Sequence, residues 1–289
     1  MPATPNIARV WDHWLGGHLA CDVDRAAAKR IEETVPSAPA MAVRSRQFLG
    51  RAVTWVTRQG VIQFLDLGAG IPTRAEAKLP GGKTVRVRPV HELAREVAPH
   101  ARAAYVDNDE VAVSQCLALL SGPGVAVVGA DLRDPGAVLA GPALEVLDMS
   151  RPIALVLSCV LHYFSPDAAR EITAGYARLV PPGSYVILSA IACEPGMLGR
   201  LREEAAGRHP VDVNSFTPDE IGALFRGLEL VEPGIVPARA WRGGAPDPGL
   251  RPRGPVYLLA GVGRKTLLVA RPVIPCADTG SRRVARRVP

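Results

Sequence analysis

Short apolar runs alternate with longer stretches of helical period along most of this chain. Val61, Ile62, Phe64, Leu65 and Leu67 form a compact run of strand-forming residues, which suits a strand covered on both faces. Further strand-like runs fall at 103–106, 125–128, 153–160, 185–191, 228–236 and 256–262. Helix-like stretches lie between most of them, at 110–120, 166–180, 197–206 and 218–225, with a weaker one at 137–147 broken by Pro142. Start signals support two of these. Ser165-Pro166-Asp167 offers a cap, a proline for the first helical position and an early acid, and Thr217 with Glu220 forms a capping box. Strand–helix alternation predicts an α/β protein whose mostly parallel, doubly wound sheet carries helices on both faces. The connection from 236 to 256 is rich in Pro, Gly and Arg and lacks helical period, so the last of seven strands is expected to run antiparallel.

Residues 1–60 read as helical. One amphipathic helix is expected at 22–35, stopped by Pro36 and Pro39, and another at 42–58, where Phe48, Leu49, Ala52, Val53 and Val56 recur at helical spacing. Before them, the segment from Ala8 to Gly17 mixes two Trp, Arg9, Asp12 and a Gly-Gly break, which reads either as a packed N-terminal helix or as a lid over a ligand. The expected organisation is a helical cap (1–60), one α/β domain (61–265) and a basic tail (266–289).

Composition narrows the class. The apolar run at 152–164 is interrupted by Ser158 and His162 and is too short to span a bilayer. The N-terminus lacks an apolar signal core. Five scattered cysteines form no CxxC pair, which favours reduced thiols in a cytoplasm over disulfides or zinc. The net charge of +6 resides in the end of the chain: from Arg264 onward there are seven basic residues and one acid, while the first 263 residues hold 27 of each. That distribution argues against nucleic acid as a partner of the body and leaves the tail a solvated end.

Candidate chemistry gathers at the strand ends. The first run stops at Asp66-Leu67-Gly68-Ala69-Gly70, and such a turn brings bare backbone close to a ligand at the carboxyl edge of an open sheet. A third glycine is missing, since Thr73 stands in its place, which speaks against a nicotinamide-dependent oxidoreductase. Asp107, followed by Asn108 and Asp109, ends the second strand, where a carboxylate can accept from both ribose hydroxyls of a nucleoside. Asp109 is placed to cap the next helix. The third strand ends at Asp131-Leu132, an acid for an adenine amino group and an apolar side chain for its ring. Ser158 lies at the end of the fourth strand and His162 and Tyr163 follow it, near the switch point. A glycine turn with an acid at each of three successive strand ends favours a cofactor bearing a nucleoside.

The stretches ARVWDHWLGG, DRAAA, QFLDLGAGIPT, YVDND, GADLRDP and LELVEPGIVP together resemble a bacterial family of class I S-adenosylmethionine-dependent methyltransferases. The resemblance spans roughly residues 6–264 and implies a seven-stranded Rossmann-like sheet with an antiparallel last strand. It implies S-adenosyl-L-methionine as cofactor, with Asp66, Gly68 and Gly70 at its methionine end, Asp107 at the ribose, Asp131 and Leu132 at the adenine, and Arg9, Asp12, Gly16 and Gly17 in a segment closing over it. It supplies neither the acceptor nor a catalytic base. His162 and Tyr163 are the best-placed candidates for a base, needed only when the acceptor is protonated. The expected activity is methyl transfer to a small molecule, against the alternative of a cofactor-binding protein without chemistry. One departure from the family is an insertion at 74–89 with five basic residues, where Val85 and Val87 alternate with Arg86 and Arg88 after Pro80-Gly81-Gly82. A small hairpin is expected there, either a tolerated surface loop or a flap over the substrate.

Overall fold

The structure, a computed structural model, describes residues 4–193, 213–243 and 256–266. The helix expected at 197–206, much of the connection before the last strand, and all but the first residue of the basic tail lie outside the described residues.

Five strands run parallel: β1 (Gln63–Leu67), β4 (Arg102–Asp107), β5 (Val125–Gly129), β6 (Ala154–Ser158) and β7 (Tyr185–Cys193). The long β10 (Val256–Arg264) lies antiparallel to β7, and two short strands, β8 (Glu229–Leu230) and β9 (Val236–Pro237), pair with β10. The order is β5-β4-β1-β6-β7-β10-β8, with β9 also on β10. A separate hairpin joins β2 (Ala75–Lys78) to β3 (Thr84–Val87). The chain leaves β1 outward to β4 and β5, then returns to β6 on its other side, so a switch point opens beside β1.

Helices α1 (Ile7–Trp14), α2 (Asp22–Thr34) and α3 (Ala38–Arg58) precede the sheet. α4 (Val90–Arg95), α5 (Glu110–Leu119), α6 (Pro135–Val138), α7 (Pro142–Val146), α8 (Pro166–Leu179) and α9 (Pro218–Ala223) are interspersed with the strands. Alternation along the strands sorts the core into two layers. Phe64, Tyr105, Val156 and Ile187 meet Phe48, Leu49, Ala52 and Val56 of α3. Leu65, Val106, Leu155 and Leu188 meet Ala169, Ile172 and Tyr176 of α8 and Ile221 of α9. Among the described residues no helix is long and apolar enough to cross a membrane.

Three elements differ from expectation. α3 begins at Ala38, because Pro39 falls in its first turn, where the missing N–H has no helical partner to lose. The strand expected at 228–236 is instead two short pairings separated by Pro233, which has no N–H, and Gly234, whose φ of 82° turns the chain. The insertion does form a hairpin, yet it is docked rather than free. Ala77, Leu79 and Val87 are buried against Leu15, Ala42 and Val43, and Gly16 lies so close that an added Cβ would sit 2.9 Å from the Glu76 carbonyl oxygen.

Candidate functional site

At the carboxyl ends of β1, β4, β5 and β6 the sheet opens into a cavity of about 540 Å³, roofed by Ala8, Trp11, Asp12 and Leu15 from the N-terminal segment. Its floor begins at the glycine turn. Gly68 has φ 70° and leaves no room for a Cβ, which would lie 2.2 Å from a Val160 methyl. Gly70 has φ 64° but faces open space. The turn is tied to β4: the Gly68 and Ala69 N–H groups donate to the Val106 carbonyl at 2.9 and 3.0 Å.

Asp107 stands at the end of β4. Its Oδ2 accepts from Gly70 N–H at 2.8 Å and its Oδ1 from Asp109 N–H at 3.0 Å. A carboxylate has about four acceptor positions, so each oxygen keeps one for a ligand. Burial pushes this carboxyl above the usual range, while backbone donors at Asp109, Gly70 and Asn108 act in the opposite direction. Asp109 caps α5 through Ala112 N–H at 2.9 Å and also accepts from Asn6 Nδ2 at 2.6 Å. Asn108 lines the cavity beside them.

Asp131 and Leu132 flank the same cavity. The Asp131 carboxylate is occupied by its neighbour, accepting from Arg133 backbone N–H at 2.8 Å and from the guanidinium at 2.6 Å, which holds it below the ordinary carboxylate range. Arg133 also lies 5.9 Å from the centre of the Phe164 ring. Ser158 and Tyr163 complete the wall below β6, and Ser158 Oγ lies 3.3 Å from Ser189 Oγ.

Four expected residues point elsewhere. Arg9 donates to Asp24 at 2.7 Å and fastens α1 to α2. Gly16 makes room for the hairpin, and Gly17 for Asp12, whose carboxylate would lie 2.0 Å from an added Cβ. Asp12 itself borders the cavity, but its oxygens accept from Thr73 Oγ1 at 2.7 Å and Leu19 N–H at 3.0 Å. Asp66 shares a strand face with Phe64 and so turns under α3 into a smaller adjoining cavity. Burial drives its carboxyl up to about 7; the nearby Asp107 adds to the rise and Arg46 opposes it.

His162 and Tyr163 pack against one another, but only Tyr163 reaches the main cavity. Tyr163 borders the main cavity, and its oxygen accepts from Trp11 Nε1 at 2.8 Å. Burial raises its hydroxyl well above the ordinary tyrosine value. His162 is 1% exposed and turns into an apolar chamber behind Trp11, where burial lowers its pKa to about 3.

Arg46 was missed by reasoning on the sequence. It lies on α3 between Val43 and Leu49, borders the main cavity, and its buried Nε has no partner. A basic residue three positions before Leu49 and seven before Val53, on an otherwise apolar stripe, was the available signal.

A glycine turn tied to an acidic strand end at a switch point is where open α/β sheets hold their ligands. Residues 2–266 match the model of a family described as S-adenosyl methyltransferase, and the chain belongs to that family. Its cofactor is S-adenosylmethionine and its activity methyl transfer. It is similar to a candidate methyltransferase of known structure from Thermobifida fusca, with 35% identity and a TM-score of 0.77 over 91% of this chain and 96% of that one. It is also similar to a DUF574 family protein from Streptomyces avermitilis, with 32% identity and a TM-score of 0.76 over 91% and 98% of the two chains. No curated protein matches the chain.

Proposed function

We propose that the cavity at the switch point holds S-adenosylmethionine and that the chain passes its methyl group to a small-molecule acceptor. The observation that carries this reading is Asp107: two backbone donors fix its carboxylate with one acceptor position left on each oxygen, the pattern a ribose diol requires. A cavity of about 540 Å³ falls in the range of small-molecule sites. Asn108, Asp131 and Leu132 would take the adenine end and Gly68 and Gly70 the methionine end. Arg46 would donate its unpartnered Nε–H to the amino-acid carboxylate.

When bound, the cofactor supplies a methyl group already activated on sulfonium sulfur. The residues of the chain would position the acceptor and exclude water. α1 provides the roof through Trp11 and Asp12, and Val160, Tyr163 and Phe164 provide the far wall. Burial lowers the His162 pKa to about 3, which makes it a weak base, and raises that of Tyr163, which holds its proton; we assign both to shaping the acceptor side. The test is calorimetric titration with S-adenosylmethionine and S-adenosylhomocysteine. Both should bind, and Asp107→Ala should weaken binding about 10- to 100-fold, as expected for losing hydrogen bonds to a charged acceptor. Unchanged affinity in that variant would sink the assignment.

A further inference from the structure

Behind the main cavity lies a second, smaller chamber of about 80 Å³. Ile7, Trp11, Cys159 and Tyr163 line both, so the two spaces adjoin at these residues. Cys159 holds φ 55° there, a conformation that costs a non-glycine residue about 1–2 kcal/mol and persists only where packing dictates it. The chamber walls are Trp14, Ile31, Val35, Met41 and Leu258.

Ser215 adds a hydroxyl to this mostly apolar lining, and two further polar atoms in it stand unpaired. His162 Nδ1 and Thr34 Oγ1 are both buried and have no hydrogen-bond partner. A buried polar group left unpaired costs about 1–3 kcal/mol. Packing accounts for the His162 ring, whose centre lies 4.2 Å from that of Tyr163 and 6.2 Å from that of Trp11, but not for its unpaired nitrogen. The backbone fixes the ring's position, since the His162 carbonyl accepts from Asn214 N–H at 2.6 Å. Among the described residues no Asp, Glu, Lys or Arg lines the chamber, so a charged group entering it would meet no counterion from them. A water occupies roughly 10–15 Å³ on this measure, so the chamber takes about six non-hydrogen atoms.

We propose that this chamber receives the methyl acceptor, an uncharged molecule whose single ring or short branched end carries one hydrogen-bonding group, held by His162 Nδ1 with Thr34 Oγ1 beside it. The proposal rests on the methyl-transfer reading of the neighbouring cavity. It selects neutral aromatic or branched aliphatic alcohols and amides over phosphorylated, carboxylated or cationic acceptors.

Phenol and toluene have the same shape and differ in one polar atom, which makes them suitable probes. The full-length protein, saturated with S-adenosylhomocysteine, is titrated with each while the indole N–H signals of Trp11 and Trp14 are followed by NMR. Both probes should shift these signals, with phenol binding about 3- to 10-fold tighter, the worth of one net hydrogen bond. His162→Phe should abolish that preference and leave toluene binding intact. Met41→Trp should block both probes and leave the affinity for S-adenosylhomocysteine unchanged. Equal affinity for phenol and toluene overturns the assignment of His162. Tight S-adenosylhomocysteine binding without any response to the probes overturns the chamber alone. Failure of S-adenosylhomocysteine to bind overturns the methyl-transfer reading and this proposal with it.

Discussion

Gly68 and Gly70 share a left-handed backbone but differ in what surrounds them. At Gly68 an added methyl meets Val160 at 2.2 Å; at Gly70 it enters the open cavity. Gly68→Ala should therefore lower unfolding stability by about 2–4 kcal/mol, combining the conformational cost with overpacking. Gly70→Ala should lose only about 1–2 kcal/mol, yet it should weaken cofactor binding because its methyl occupies ligand space. Denaturant unfolding with parallel calorimetry separates the two effects, and equal stability losses would contradict the geometry. Asp66 makes a second prediction at this scale. Its carboxyl keeps its proton up to about pH 7 in the folded chain, whereas in the unfolded chain it ionises near 4. Between those values the folded state binds more protons, so this residue makes stability fall as pH rises and level off above 7. Asp66→Asn should remove that loss, gaining stability relative to the parent at pH 8 but not at pH 4. A pH-independent difference would show that Asp66 is ionised when folded.

The hairpin tests the same reasoning one scale up. Leu79 is 7% exposed and packs with Leu15 and Val43, so the hairpin braces the end of α1 that roofs the cavity. Leu79→Ala should cost about 2–4 kcal/mol, whereas a tolerated surface loop would show a change within about 0.5 kcal/mol. The strands at 63–67, 102–107 and 154–158 were legible because apolar runs between glycine and proline breaks leave few alternatives. The docking of the hairpin was not, because alternation of Val85 and Val87 with arginines predicts a strand but not the surface it lies against. Likewise the ARVWD segment was legible only as a packed helix or a lid, while the partners of Arg9 and Gly17 are set by tertiary contacts with Asp24 and Asp12.

Over the whole molecule, strand order decides which residues meet. Placing β1 between β4 and β6 brings Gly70, Asp107 and Ser158 to one edge, and β5 adds Asp131 from the next strand over. Spacing in the sequence predicted that convergence, and one alternation of the pleat removed Asp66 from it. Arg46 enters from α3 on the sheet's other layer, a contact that strand-end motifs do not encode. A structure of the chain with bound S-adenosylhomocysteine tests the account most directly. The account predicts both ribose hydroxyls on the Asp107 carboxylate and the amino-acid carboxylate on Arg46. A nucleoside seated away from Asp107, or a carboxylate that leaves Arg46 Nε unpaired, would contradict it.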